Sequence, residues 1–129
     1  MQKVANQMIN ILIVEDETTL NEAYNIILTK EGYNVNSVFN GVQALEAVKK
    51  HVPDLILLDL RMPEMDGVEF LQNLQPLKNH PGLKIIVFSN YDVQQDIDDA
   101  FKLGATKYML KAWASPKELV RVVADMLAQ

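Results

Sequence analysis

Residues 55–58 read Leu-Ile-Leu-Leu, and the next residue, Asp59, is acidic. A short, unbroken apolar run is typical of a strand in a parallel sheet whose two faces are both covered by helices. The same reasoning applied along the chain predicts strands in four further segments, 8–14, 34–38, 83–88 and 106–110.

The segments between these strands place apolar residues at helical spacing. Asn40 and Ser115 are candidate N-caps, and Pro116 suits a first helical position. The helix predicted at 67–75 is the least regular, because Pro76 and Pro81 bracket a predicted loop after it. Five alternating strand and helix units predict an α/β fold, a three-layer sandwich with helices on both faces of the sheet.

Length and composition limit the possible functions. The 129 residues suit a single domain, residues 1–129 with a core of about 9–127. A net charge of −5 gives no electrostatic basis for direct nucleic-acid binding or for attraction to an anionic membrane. The sequence has no cysteine, no signal peptide pattern and no apolar run of about 20 residues, so we expect a cytoplasmic protein without a membrane span.

Chemically active side chains follow four of the five predicted strands. Strand one ends in Glu15 and Asp16, strand three in Asp59, strand four in Ser89 and strand five in Lys111. Each residue alone has an ordinary explanation as a cap, a turn residue or a surface charge. Ligands of open α/β sheets bind at the carboxyl ends of the strands, so the four ends together predict one site.

Three neighbouring carboxylates predict a metal ion. They would repel one another and favour protonation unless a cation neutralised them. Oxygen ligands without cysteine indicate a hard divalent ion, and Mg²⁺ fits best because it takes one or two carboxylates together with phosphate oxygens; Mn²⁺ could substitute. Lys111 and Ser89 could then hold the oxygens of a phosphoryl group on Asp59, which would be the nucleophile.

The combined motifs resemble the receiver domain of two-component response regulators, the CheY-like superfamily. The resemblance covers nearly the whole chain and implies a flavodoxin-like, doubly wound parallel sheet of order 2-1-3-4-5 with five helices. The matching stretches are ILIVEDE at 11–17, DLILLDLRMPEMDG at 54–67, IIVFS at 85–89 and GATKYMLK at 104–111.

The resemblance also implies a role for each site residue. Asp59 would accept the phosphoryl group from a phosphohistidine of a sensor histidine kinase or phosphotransfer protein. Glu15, Asp16, Asp59 and the backbone carbonyl of Arg61 would bind Mg²⁺. Lys111 would bind the phosphoryl group, while Ser89 and Tyr108 would switch the surface formed by the fourth helix, fifth strand and fifth helix. Such a phosphoprotein acts in phosphorelay signal transduction toward a downstream protein or output domain. It is no turnover enzyme on an external substrate, although it promotes its own Mg²⁺-dependent phosphorylation and dephosphorylation.

Several residues near the site depart from the usual receiver pattern. Ala112 replaces the proline that normally follows the lysine, so we expect a trans bond or an altered turn there. Asn90 and Tyr91 stand after the switch hydroxyl, where the family usually has a small residue. Together with the Arg61 side chain they would flank the pocket and slow the access of water or phosphodonor.

Other functions fit less well. A pseudo-receiver, which binds proteins without being phosphorylated, is the main alternative. An aspartyl phosphatase would need a second acid two residues after the nucleophile, where Arg61 stands. Nucleotide-binding and flavin-binding folds would need a phosphate loop, and the five glycines are dispersed.

A homodimer through the fourth helix, fifth strand and fifth helix is a further hypothesis. Acidic residues on the fourth helix could pair with basic residues that follow it. The acidic set is Asp92, Asp96, Asp98 and Asp99, and the basic set is Lys107, Lys111, Lys117 and Arg121.

Overall fold

The computed structural model describes residues 9–90 and 93–129, without the side chain of Trp113. It contains five strands, five helices of eight residues or more and two single helical turns. The strands are β1 Asn10–Val14, β2 Asn34–Val38, β3 Leu55–Leu58, β4 Lys84–Ser89 and β5 Lys107–Leu110. The helices are α1 Thr18–Lys30, α2 Gly41–Lys50, α3 Gly67–Leu74, α4 Gln94–Lys102 and α5 Pro116–Leu127, and the turns are Pro76–Asn79 and the 3₁₀ turn Lys111–Trp113.

The five strands form one parallel sheet of order β2-β1-β3-β4-β5. This confirms the predicted three-layer, doubly wound fold. Within the described ranges, no helix combines the length and the apolar character needed to cross a bilayer.

Alternate residues of the central strands pack into two cores. Leu12 and Ile56 face one core, where Ala44 of α2 and Phe70 of α3 are fully buried. The next residue of each strand faces the opposite core, which Leu28 of α1 and Leu119 of α5 complete. Burial on both faces explains why these strands are uninterrupted apolar runs.

Helix caps confirm the predicted starts of two helices. The Asn40 side chain accepts a hydrogen bond from the backbone N–H of Gln43, and the Ser115 hydroxyl accepts one from Glu118. Asp66 adds a reciprocal capping box with Glu69 at the start of α3. Since α3 follows the loop after Asp59, this cap fixes where that loop ends.

Some predicted boundaries were wrong. Strand β4 runs one residue later than predicted and includes Ser89 as its last residue. The predicted loop between Pro76 and Pro81 contains one helical turn, because Pro76 occupies a first helical position. Val93, which caps α4, and Phe101 on α4 are exposed to 38% and 42%, whereas Ile97 and Ala100 of the same helix are buried.

Gly67 permits the close packing of α3 against the end of β3. A Cβ at this position would lie 2.6 Å from the Asp59 carbonyl oxygen and 2.8 Å from the Leu60 Cα. We expect Gly67→Ala to lower the free energy of unfolding by about 1–3 kcal/mol, because backbone on both sides must move. Gly82→Ala is the matched control, since its Cβ would meet nothing within 4 Å. Equal denaturant midpoints for the two variants would contradict this packing account.

Candidate functional site

Strand register brings the predicted site residues to one edge of the sheet. Val14 pairs with Leu58, so Glu15 and Asp59 leave adjacent strands side by side. Ser89 pairs with Leu110, so Lys111 follows directly beyond the end of β4. The cluster therefore follows from the pairing of parallel strands.

Three carboxylates and one ammonium group form the centre of the site. Glu15, Asp16 and Asp59 each place a carboxylate oxygen within 4.8 Å of the others. The Lys111 Nζ donates a hydrogen bond of 3.0 Å to Asp59 Oδ2 and another to Glu15 Oε1. Both carboxylates that it contacts are buried, with 2% of Glu15 and 6% of Asp59 exposed. One buried cation thus faces several negative charges.

The electrostatic cost of this arrangement is visible in the pKa values. The pKa of Glu15 is raised to about 7, chiefly by burial and in addition by the charge of Asp59, although the hydrogen bond from Lys111 lowers it. For Lys111, burial lowers the pKa, but the hydrogen bond from its ammonium to Glu15 and the charge of Asp59 outweigh burial and leave the pKa raised. Lys111 therefore stays charged, while Glu15 holds a proton more readily than a free glutamate.

This pKa predicts how the metal-free protein responds to pH. Between pH 4.5 and 7, folded Glu15 retains a proton that the unfolded chain has lost. The folded state therefore binds more protons, and this residue makes stability fall as pH rises through that window, by up to about 1.4 kcal/mol per pH unit. Urea unfolding at several pH values in a chelator should show that the free energy of unfolding depends less steeply on pH for Glu15→Gln than for wild type. Glu22→Gln, an exposed change on α1, should keep the wild-type slope; the same slope in all three proteins would refute this assignment.

An open cleft of about 380 Å³ leads to the carboxylates. Arg61 and Asn90 line it, together with Asp16, Glu17, Asp59 and Lys111. The Arg61 backbone N–H donates 3.2 Å to Asp59 Oδ1, and its guanidinium pairs with Asp96 on α4 at 2.7 Å.

The remaining site residues lie around this cleft. Ser89 is fully buried at the end of β4, and within the described chain it does not line the cleft. Tyr108 is half-buried and packs against the core that contains residues of α2, α3 and α4. Ala112 lies exposed in the 3₁₀ turn, and the bond before it is trans, as expected, since no cis bond occurs in the described ranges. Tyr91 falls outside the described residues.

The prediction that Lys111 belongs to the dimer surface was wrong. Lys111 has only 7% of its side chain exposed, because it points into the site and contacts Glu15 and Asp59. It is therefore unavailable for pairing across a twofold axis. Asp92 of the same surface lies outside the described residues.

Sequence reasoning missed Asn21. It is fully buried on α1, and its side-chain amide donates hydrogen bonds of 2.8 Å to the carbonyls of Glu15 and Val38. These bonds fix the chain that carries Glu15. The available signal was its spacing: Asn21 shares a helical face with Tyr24 and Leu28, where a polar residue needs a partner.

The donor set suits a hard divalent cation. The three carboxylates supply oxygen ligands close together, and the charge of Asp59 adds to the effect of burial in raising the pKa of Glu15. Mg²⁺ prefers such ligands. The site thus fits the predicted metal by its chemistry.

Comparisons with known proteins agree on one family. The family model described as the response regulator receiver domain matches residues 11–124. The sporulation initiation phosphotransferase F of Bacillus subtilis is 36% identical over 101 residues, which cover 78% of this chain and 80% of that protein. The DNA-binding response regulator MtrA of Mycolicibacterium paratuberculosis is 36% identical over 117 residues, which cover 91% of this chain but 50% of MtrA. The chain thus spans only half of that longer relative.

Solved structures show the same fold. The CheY-like receiver domain protein of Methanospirillum hungatei superposes with a TM-score of 0.86 at 28% identity, covering 93% of this chain and 94% of that one. A signal receiver domain of a histidine kinase from Syntrophus aciditrophicus gives a TM-score of 0.81 at 30% identity, covering 92% of this chain and 89% of that one.

Proposed function

Because the chain belongs to the response regulator receiver domain family, we propose that Asp59 accepts a phosphoryl group in a Mg²⁺-dependent reaction. Receiver domains are signalling domains and do not turn over an external substrate. The observation that carries the proposal is the contact of Lys111 with Asp59 at 3.0 Å inside a cluster of three carboxylates. A structural ion pair would need one carboxylate, whereas phosphoryl transfer needs a nucleophile, metal ligands and a fixed cation.

The side chains suggest a division of labour during transfer. An Asp59 carboxylate oxygen attacks the phosphorus of the donor; the new P–O bond forms as the P–N bond to the donor histidine breaks, and the imidazole nitrogen leaves with the electron pair. Lys111 holds one oxygen of the transferring group and balances its charge. Glu15, Asp16, Asp59 and the Arg61 carbonyl would hold Mg²⁺, which supplies further charge stabilisation when bound.

Ser89 and Tyr108 are proposed to transmit the change. They lie on the adjacent strands β4 and β5, where Ser89 pairs with Leu110 at the site edge and Tyr108 pairs with Val87 two positions further from that edge. Ser89 would move toward the new phosphoryl oxygens, and Tyr108 would then shift the balance between two arrangements of the α4-β5-α5 surface.

The same proposal assigns partners and a location. The phosphodonor would be a sensor histidine kinase or phosphotransfer protein, and the changed surface would act on a downstream protein, an output domain or a second copy of the chain. A cytoplasmic setting follows from that kinase partnership. We further propose that residues 1–129 act as one receiver unit.

Incubation with a small acyl phosphate donor tests the proposal. With Mg²⁺, intact mass should increase by one phosphoryl group for wild type, and with a chelator it should not. Asp59→Asn is the variant that removes the acceptor, and Asp54→Asn is the control at the other end of β3. An equal mass increase, or no increase, in wild type and Asp59→Asn would reject phosphorylation at Asp59 and favour the pseudo-receiver alternative.

A further inference from the structure

Residue 61 joins the candidate site to α4 through two different groups. Its backbone N–H donates to the Asp59 carboxylate at 3.2 Å. Its guanidinium Nη2 lies 2.7 Å from Oδ2 of Asp96, which stands in the first turn of α4. The same residue therefore contacts the phosphoacceptor and a helix of the proposed output surface.

The Arg61 guanidinium could pair either with Asp96 or with an anion bound in the cleft at Asp59. The Arg61 side chain is 47% exposed and the Asp96 side chain 29% exposed, so water screens their attraction. Arg61 also lines the cleft that holds Asp59 and Lys111. Leaving Asp96 for this cleft would break an ion pair that solvent already reaches on both sides.

Phosphorylation would change the competition for this guanidinium. A phosphoryl group carries about two negative charges and three acceptor oxygens, whereas Asp96 offers one carboxylate. Arginine binds phosphate through two parallel hydrogen bonds, which are stronger than a screened surface pair. The new anion would also stand two residues from Arg61 in sequence, whereas Asp96 lies on another element.

From this geometry we propose that phosphorylation of Asp59 draws the Arg61 guanidinium from Asp96 to the phosphoryl oxygens and so releases the first turn of α4. The inference rests on the proposed function, because it needs a phosphoryl group on Asp59. It assigns Arg61 as a positioning residue that couples the site to α4, and Asp96 as its partner in the unphosphorylated state.

Competition for Arg61 can be measured with beryllofluoride, a phosphoryl mimic, in the presence of Mg²⁺. Amide chemical shifts would give its dissociation constant for wild type, Asp96→Asn, Arg61→Gln and the double variant. Asp96→Asn should bind about two- to fivefold more tightly, because the mimic no longer has to break the ion pair. When Arg61 is already replaced by Gln, adding Asp96→Asn should leave the dissociation constant of beryllofluoride unchanged.

Asp98→Asn is the matched control. It removes one negative charge from the same helix, and its carboxylate accepts a hydrogen bond from Gln94. An Asp96→Asn effect no larger than that of Asp98→Asn, or one that persists without Arg61, would overturn the inference while leaving the proposed function intact. Wild type that binds no beryllofluoride would contradict the proposed function as well.

Discussion

Replacing Lys111 with methionine is expected to lower the free energy of unfolding of the Mg²⁺-free protein by about 3 kcal/mol at pH 8. The substitution keeps an apolar stem of similar length but removes the ammonium group between Glu15 and Asp59. The side chains of these carboxylates are only 3% and 8% exposed, so water cannot replace the lost cation. Buried charges without a partner are strongly destabilising.

Mg²⁺ should restore part of this loss, because a divalent cation supplies the missing positive charge. Denaturant unfolding with Mg²⁺ and with a chelator would measure both effects. Lys107→Met is the control, since Lys107 is an exposed residue of β5. If Lys111→Met and Lys107→Met unfold at the same denaturant concentration, the neutralising role of Lys111 is wrong.

Asp16→Asn is expected to weaken Mg²⁺ binding by at least about 10-fold and to slow phosphorylation in parallel, because losing even an outer-shell partner of a metal ligand typically costs roughly 10- to 100-fold in affinity. Asp16 offers a carboxylate oxygen within 4.8 Å of those of Glu15 and Asp59, yet it is more exposed than either. The amide keeps the shape of the side chain but removes its charge. The substitution should therefore affect the metal more than the fold.

Titration calorimetry with Mg²⁺ would measure this change in affinity. Glu22→Gln, which removes an exposed charge from α1, should bind Mg²⁺ as wild type does. Thermal unfolding in a chelator should show that Asp16→Asn remains folded. Unchanged Mg²⁺ affinity in Asp16→Asn would exclude its carboxylate as a ligand.

The sheet and the centre of the site were predictable because they depend on pattern and topology. Buried strands such as Leu55–Leu58 are continuous apolar runs, and parallel pairing gathers the residues that follow them. Glu15, Asp59 and Lys111 therefore meet where the sequence predicts, and the caps at Asn40 and Ser115 depend only on local spacing.

The missed features depend on contacts between distant segments. Asn21 and Asp96 are a polar helix residue and an acid in a charged helix, and nothing in their local sequence identifies the Glu15 carbonyl or Arg61 as a partner. Lys111 was also counted in a basic surface with Lys107 and Lys117, but its ammonium group points inward to Glu15.

The central claim is that Asp59 is the residue that becomes phosphorylated. After incubation with Mg²⁺ and a small acyl phosphate donor, borohydride reduction converts an aspartyl phosphate to homoserine, which tandem mass spectrometry of peptides can locate. Homoserine at position 59 of the wild-type chain, and at no other acidic position, is the predicted result. Homoserine at Asp16 or another aspartate, or none in a sample fully exposed to the donor, would contradict the account.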